Sequence, residues 1–474
     1  MSRPETSIYR SDHILGNVDE LTPKLYRSWG RTLGRLSNVR DGFAVATDGR
    51  ESSPTFLDAL KEGLADVGVG VLDLGIAPHV ATLFALLQDG TGGSAYVSGI
   101  GMPHTFNGLR WGLPKCPLSF PEVCGILRRD AEQGFVPSAR ERCEIGRSYS
   151  FLQDWIDWHQ ETWFDTPKVP FHIIIDPLHG PWSQLARRAL QVIFPFMVFE
   201  AIHDDLSPHY GGLVPNAHCA ESIKQLCREV DIRRANMGIA IDGETGGFSL
   251  CDDQGVPLNH HELAWLTLQS LAAAISGEKV LHTTTFPKIL LEEVRRLGGE
   301  PVLAPISLMS FPYPMRQTNA LIGFDHLGRY SARVCRGHYV SFFALCWLLD
   351  FLAQRRIRLS EFCQTIPPCF ATQELKTPWH EPKSIVKLLK AKWNVKPENT
   401  IDGIRFFGPN GHVNLREVRD YAQLAFQFEA TSRPMLDQMI SECAAALEKS
   451  GLDRALLDSY RDDPICWRQP LPMS

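Results

Sequence analysis

Apolar positions recur along this chain in two alternating rhythms. Near the start, ELTPKLYRSWGRTLGRL repeats apolar residues at helical spacing, with Pro23 in the first turn, where an N–H would have no intrahelical partner. A short apolar strand follows at Phe43 to Ala46, then the polar turn DGRESSP, then a helix over Thr55 to Val67. Strands at Gly70 to Leu74 and Ser94 to Val97 complete the set. The pattern restarts at FHIIIDPLHG, Phe171 to Gly180, a buried strand running into a turn. It continues through a helix, a strand at Phe196 to Ala201, a helix near Ala220 to Val230 and the strand Met237 to Ile241. A third start is EKVLHTTT, Glu278 to Thr285, followed by the helix Lys288 to Leu297 and strands at Glu300 to Leu303 and Ala320 to Gly323. Strands alternating with helices predict an α/β fold with mostly parallel, doubly wound sheets.

From about Ala371 the rhythm changes. GIRFFGPNGHVNLREV predicts a hairpin around Pro409, Asn410 and Gly411, and a strand at Ala425 to Ala430 and a helix at Pro434 to Lys449 complete an antiparallel α+β unit. The expectation is three similar doubly wound α/β domains, 1–149, 150–257 and 258–370, and a C-terminal α+β domain, 371–474. The 474-residue length agrees with roughly three or four units.

Composition narrows the function classes. The chain is 44% hydrophobic and 22% charged, as globular proteins are. A net charge of −6, with no Lys/Arg run, gives no reason to expect nucleic acid. No apolar run approaches the ~18 residues of a membrane span, so no membrane partner is expected either. The polar N-terminus MSRPETSIYRSDH has no signal-peptide core. Twelve cysteines are scattered without a CxxC pair, which suits reduced thiols in a cytoplasmic protein.

Four loops follow strand ends, where open α/β sheets gather ligands. Val97 to Trp111 is a glycine-rich turn that offers backbone N–H groups to an anion, with Ser98, His104 and Thr105 as reactive groups; a plain connecting turn is equally consistent. In Gly238 to Leu258, Asp242 and Glu244 are alternating carboxylates that could hold Mg²⁺ weakly, or simply form a solvated acidic turn. Leu321 to Ala332 offers Asp325, His326 and Arg329 to sugar hydroxyls. Leu415 to Ala430 offers Arg416 and Arg419 to phosphate.

The order of these segments resembles the α-D-phosphohexomutase family, which includes phosphoglucomutase, phosphomannomutase and phosphoglucosamine mutase, over almost the full length. The matching framework is DGRESSP (Asp48 to Pro54), the DLG turn ending at Pro78, FNG (Phe106 to Gly108), DPLHG (Asp176 to Gly180), GIAIDG (Gly238 to Gly243) and EATS (Glu429 to Ser432). The resemblance implies four domains around a central cleft. It also implies a phosphoserine that exchanges its phosphoryl group with a hexose phosphate, an intramolecular phosphotransfer assisted by Mg²⁺.

Against that pattern, the residues that the chemistry needs are altered at every loop. The family's active loop resembles TASHNPPEYNG, and counting seven back from Asn107 places Ile100 at the serine, with Gly101 and Met102 at the next two positions. Isoleucine cannot carry a phosphoryl group. The metal loop, DGDGDR in the family, reads Asp242, Gly243, Glu244, Thr245, Gly246, Gly247. The sugar loop, GEESGH there, has Asp325 at the first acid, then His326, Leu327, Gly328 and Arg329. The phosphate loop, RPSGTEP there, keeps Arg416 but puts Val418, Arg419 and Asp420 in place of the hydroxyl and glycine donors. At the N-terminus, Asp12 to Gly16 lacks the arginine of YDIRG.

Two functions of different class follow. One is a non-catalytic pseudoenzyme of carbohydrate metabolism that binds a hexose phosphate, or partners an active mutase or another protein. The other is a divergent hexose-phosphate mutase that uses Ser98 or His104 as phosphoryl carrier, with Asp242 and Glu244 on Mg²⁺. Arg50, Asp325, Arg329 and Arg416 are the candidate substrate contacts. For Arg50 the alternative is that DGRESSP persists because Asp48 and Ser52 shape the turn and cap the next helix. For His179 it is turn packing.

Overall fold

A computed structural model describes residues 7–448, except 38–41, 88–90, 135–146, 149–150, 164, 243–246, 306–310, 326–328, 336–339, 373, 379–386, 388–402, 409–410 and 419–422. Among the described residues the strands form four sheets. The first runs Ile14–Asn17, Phe106–Gly112, Gly93–Val97, Phe43–Thr47, Val71–Ile76, Arg147–Ser148. Its central strands are buried along their whole length, which explains the unbroken apolar runs Phe43–Thr47 and Gly93–Val97. The expected parallel pairing holds between these strands and Val71–Ile76, but two neighbours are antiparallel: Phe106–Gly112 against Gly93–Val97, and Ile14–Asn17 against Phe106–Gly112. Strand Phe106–Gly112 was not foreseen, because FNG reads as the end of a loop. The chain turns straight back after that loop and continues the sheet.

Helices Pro23–Ser37 and Ser53–Asp66 cross closely on this sheet. A Cβ on Gly30 would lie 2.3 Å from the Leu60 carbonyl oxygen, and one on Gly63 would lie 2.1 Å from that of Arg27, so this crossing requires glycine at both. Asp66 fixes the crossing, accepting from Arg27 at 2.8 Å and pairing with Arg31 at 2.7 Å.

The second and third sheets have four strands each. One runs Phe248–Cys251, Met237–Ile241, His172–Asp176, Val198–Ala201; the other runs Glu300–Leu303, Lys279–His282, Ile322–Phe324, Tyr330–Ala332. Each is parallel at its centre with one antiparallel edge. The strand expected from Phe196 begins at Val198, because Phe194 to Met197 still form the turn after helix Leu185–Ile193. One apolar core joins elements of all three sheets, from Ala44 to Cys363. Its centre is aromatic: Trp155 lies 4.6 Å from Phe342 and 5.6 Å from Trp182, and Trp182 stacks on Phe342 at 5.0 Å.

The C-terminal sheet is antiparallel as expected, ordered Phe370–Ala371, Gln423–Ala430, Gly411–Val418, Ile404–Gly408, with Leu375–Pro378 also on Gln423–Ala430. Gly408 pairs with Gly411, so the hairpin forms where predicted, although its tip at 409–410 lies outside the described residues. Helix Arg433–Glu448 covers this sheet. The sheet grips the third unit through the loop before helix Lys288–Arg296. Gln427 donates to the Thr285 carbonyl at 2.7 Å, Asn414 to that of Thr284 at 2.8 Å, and Glu429 accepts the Lys288 N–H at 2.9 and 3.0 Å. No helix among the described residues is long and apolar enough to cross a membrane.

Buried histidines give this fold a pH dependence. Burial pushes His159, His261 and His412 down to about 3 and His282 down to about 4, from 6.5. Each holds fewer protons folded than unfolded, so each makes stability rise with pH between about 4 and 6.5. Burial pushes Glu429 up to about 7, and the Asp176 hydrogen bond raises His203; both contribute stability present at low pH and lost as pH rises through the folded pKa. The depressed histidines, His260 among them since burial lowers it too, outweigh the two raised groups. The expected outcome is a net loss on the order of 3 kcal/mol from about pH 6.5 to pH 5, read from urea unfolding midpoints.

Candidate functional site

The loop after strand Gly93–Val97 is built around one buried carboxylate. Asp48 follows strand Phe43–Thr47 and is fully buried. One of its oxygens accepts from the Ser53 hydroxyl at 2.5 Å and the Arg50 N–H at 3.1 Å. The other pairs with the Arg50 guanidinium and accepts the Gly99 N–H at 3.3 Å. Arg50 also donates to the Met102 carbonyl, donates to the Tyr210 hydroxyl at 3.1 Å, and lies 4.9 Å over the Tyr210 ring. A Cβ on Gly99 would meet the guanidinium carbon at 2.5 Å, so the loop crosses Arg50 where only glycine fits.

Asn107 closes the loop. It is fully buried, donates to the hydroxyls of Ser52 at 2.8 Å and Ser53 at 2.9 Å, and accepts the Gly108 N–H at 2.7 Å. Ser52 therefore serves the loop, and its side chain makes no cap bond to helix Ser53–Asp66, contrary to the capping role considered for it. The structural role expected of Asp48 in this turn does hold.

Ile100 occupies the apex with φ +56°, followed by Gly101 at φ +74°. A β-branched residue in the left-handed region is strained by roughly 1–2 kcal/mol. The strain is held by the Ser98 hydroxyl, which accepts the Ile100 N–H at 3.0 Å, and by the Asp48 and Arg50 contacts on either side. Ser98 is 1% exposed, so its oxygen faces the loop's own backbone rather than solvent. His104 is exposed on the outer part of the loop, its ring 4.6 Å from that of His209. His209 and Tyr210 belong to the turn after strand Val198–Ala201 and were missed in the sequence. The polar, aromatic stretch SPHYGG was their one signal. His179 packs in the same region, 4.7 Å from the His203 ring, with Nδ1 3.0 Å from Asp205; turn packing accounts for it.

At the other loops, the described charged residues also find partners within the protein. Asp325 and Arg329, both buried, pair with each other, the Arg329 N–H donating to Asp325 at 3.0 Å and Nε at 2.5 Å. Arg416 is held by both oxygens of Glu374, with one contact at 2.6 Å. Glu374 lies 42 residues away, and no sequence signal ties it to Arg416. Asp242 is buried, with its N–H on the Gly247 carbonyl at 2.7 Å. Glu244, His326, Arg419 and Asp420 lie outside the described residues. Among the described residues no three His, Cys, Asp or Glu side chains gather as a metal ion requires. Beside the sugar loop sits a group the sequence did not signal: His218 Nδ1 lies 2.9 Å from the Ser249 hydroxyl and 3.2 Å from His260 Nε2. Burial lowers the pKa of His260, and Asp325 partly offsets this.

Three α/β units and an α+β cap, with their loops at strand ends, are the architecture of multi-domain phosphohexomutases solved before. Comparison with known proteins agrees. Residues 8–119 match the family description "Phosphoglucomutase/phosphomannomutase, alpha/beta/alpha domain I". A phosphomannomutase of Escherichia coli is 25% identical over 433 residues, which span 87% of this chain and 92% of its own. A phosphomannomutase/phosphoglucomutase of Pseudomonas aeruginosa is 24% identical, spanning 91% and 94%. The solved structure of a Burkholderia thailandensis phosphoglucomutase/phosphomannomutase family protein superposes with a TM-score of 0.81 at 22% identity, covering 94% of this chain and 98% of its own. Over most of its length the chain is thus similar to phosphomannomutases and phosphoglucomutases of the α-D-phosphohexomutase family.

Two substitutions test the loop. Ile100→Asn, which tolerates the left-handed region, is expected to stabilise the protein by about 1 kcal/mol in denaturant titration. Arg50→Met strands a buried carboxylate and is expected to cost about 3–5 kcal/mol by the same measurement.

Proposed function

We propose that this protein is a non-catalytic member of the phosphohexomutase fold, a cytoplasmic pseudoenzyme acting in carbohydrate metabolism through a regulatory or structural role. The observation that carries this reading is the pairing of the three arginines among the candidate substrate contacts. Arg50 is taken up by Asp48, Arg329 by Asp325 and Arg416 by Glu374. A carboxylate in the fork of a guanidinium occupies the same donors, in the same geometry, that a phosphate would use. At the apex of the active loop stands Ile100, which has no group able to accept a phosphoryl. Phosphoryl transfer is mainly positioning and charge stabilisation, so a cleft whose cations are cancelled lacks its main driving term.

Related structures carry the ligands that an active member uses. An Aspergillus fumigatus N-acetylphosphoglucosamine mutase was solved with glucose 1,6-bisphosphate and, separately, with GlcNAc-6P and magnesium. For this chain, Asp242 is the described carboxylate of the metal loop, and its described neighbours do not complete a metal site. A role as partner of an active mutase or another protein fits the cancelled charges better than a role as sugar-phosphate sensor.

The test is direct. Purified protein with glucose 1-phosphate or mannose 1-phosphate, a trace of the bisphosphate and Mg²⁺ is expected to form no 6-phosphate above background. Its intact mass is expected to show no excess of about 80 Da, the mass of a phosphoryl group. Turnover that Ser98→Ala or His104→Ala abolishes would overturn the proposal in favour of a divergent mutase. A rise in melting temperature with hexose phosphate, without turnover, would restore the sensor role.

A further inference from the structure

Two histidines meet where helix His260–Ser270 starts beside the turn leading into helix Ala220–Arg233. His218 belongs to the second unit. Its N–H donates to the Asn216 side chain at 2.9 Å, and its Nδ1 lies 2.9 Å from the hydroxyl of Ser249 on strand Phe248–Cys251. His260 belongs to the third unit. It opens a helix that packs on helices Lys288–Arg296 and Ser341–Arg355, and Thr267 of that helix donates to the Tyr330 hydroxyl at 3.3 Å. Across the junction, His260 Nε2 lies 3.2 Å from His218 Nδ1, with the rings edge to face and 4.8 Å apart.

Two ring nitrogens this close hold one hydrogen between them. If both carried one, the two N–H groups would face each other with no lone pair to receive either. A neutral imidazole has one bare nitrogen and a protonated one has none. The contact therefore persists while at least one ring is neutral, and breaks once both are charged. Burial disfavours charge on His260, and Asp325 partly offsets this. Asp325 is itself paired with Arg329, and Glu262, the acid in the first turn of the helix, accepts the Asn259 N–H at 3.0 Å. The adjacent His261 is also disfavoured as a cation: burial, and then the charge on His260, push it down to about 3. Ser249 can donate to a bare Nδ1 or accept from a protonated one, but it has no charge to balance a second proton.

We propose that His218 and His260 form a proton-operated latch between the second and third units, closed while the pair carries at most one positive charge and open when both rings are charged. The latch sits between two of the cleft's loops. Ser249 follows closely on Gly247, whose carbonyl accepts the Asp242 N–H in the metal loop, and Asp325 begins the sugar loop. Acid therefore loosens the sugar loop from the metal loop, whatever the cleft binds, so the inference stands with or without the pseudoenzyme reading.

Hydrogen exchange of the full chain, compared at about pH 7 and about pH 5 and corrected for intrinsic rates, tests the latch. Amides of strand Phe248–Cys251 and helix His260–Ser270 are expected to exchange faster by up to about tenfold per pH unit, the slope of one proton taken up on opening. This acceleration should exceed that of the shared core around Trp155. His260→Gln keeps a side chain able to hydrogen-bond His218 but unable to titrate. It should remove the extra exchange at both places and leave the core's own response to pH in place. If the variant fails to fold, the ¹⁵N signals of the histidine rings in the unmutated protein decide. Near neutral pH one of the two facing nitrogens should be bare and the other protonated, and both should carry hydrogen only where exchange accelerates. Equal exchange at the two pH values, acceleration no greater than the core's, acceleration that survives His260→Gln, or two protonated facing nitrogens without faster exchange would each overturn the proposal.

Discussion

The active-loop region depends on the fully buried Asp48 carboxylate. In a low-dielectric interior such a charge is tolerable only when its lone pairs are filled, and here a guanidinium, a hydroxyl and two backbone N–H groups fill them. Each of those partners fixes something else. Arg50 reaches on to Met102 and Tyr210, so the loop is tied to the second unit. Ser53 reaches Asn107, which closes the loop into its following strand. The loop's shape comes from Asp48, Gly99 and Asn107. Even Ile100 is held in a backbone region that suits it poorly.

The same logic holds at the other loops. Several residues make their contacts within the protein: Asp48 in its turn, Asn107 in its loop, Gly30 and Gly63 at a helix crossing. Carboxylates of the chain hold Arg50, Arg329 and Arg416. Such pairing leaves no unpaired arginine charge at these three positions.

Beyond the cleft, the molecule is joined in two different ways. The first three units share one apolar core, whose Trp155, Trp182 and Phe342 contact makes them a packed body. The C-terminal unit has its own core and meets the third through polar side chains on the carbonyls of Thr284 and Thr285 and the N–H of Lys288. Apolar packing favours a fixed arrangement, and the buried hydrogen bonds to Thr284 and Thr285 add direction to this second junction.

Much of this was legible in the amino-acid order alone. The periodicity of Pro23–Ser37, the apolar runs at Phe43 and His172, and the GPNG turn define local structure, because helix, strand and hairpin obey rules with periods of a few residues. Motif spacing singled out Ile100 by counting back from Asn107, and the structure added its left-handed backbone. What only the tertiary structure decided is who meets whom across long separations. Arg50 meets Tyr210 across 160 residues, and Arg416 meets Glu374 across 42. Asp325 and Arg329 are four residues apart, yet their burial as a pair follows from packing. Strand Phe106–Gly112 likewise took its place from the sheet beside it rather than from its own composition. Sequence determined which charges and which backbone shapes were available. Folding decided that those charges would cancel one another, since burying an arginine requires a carboxylate close by.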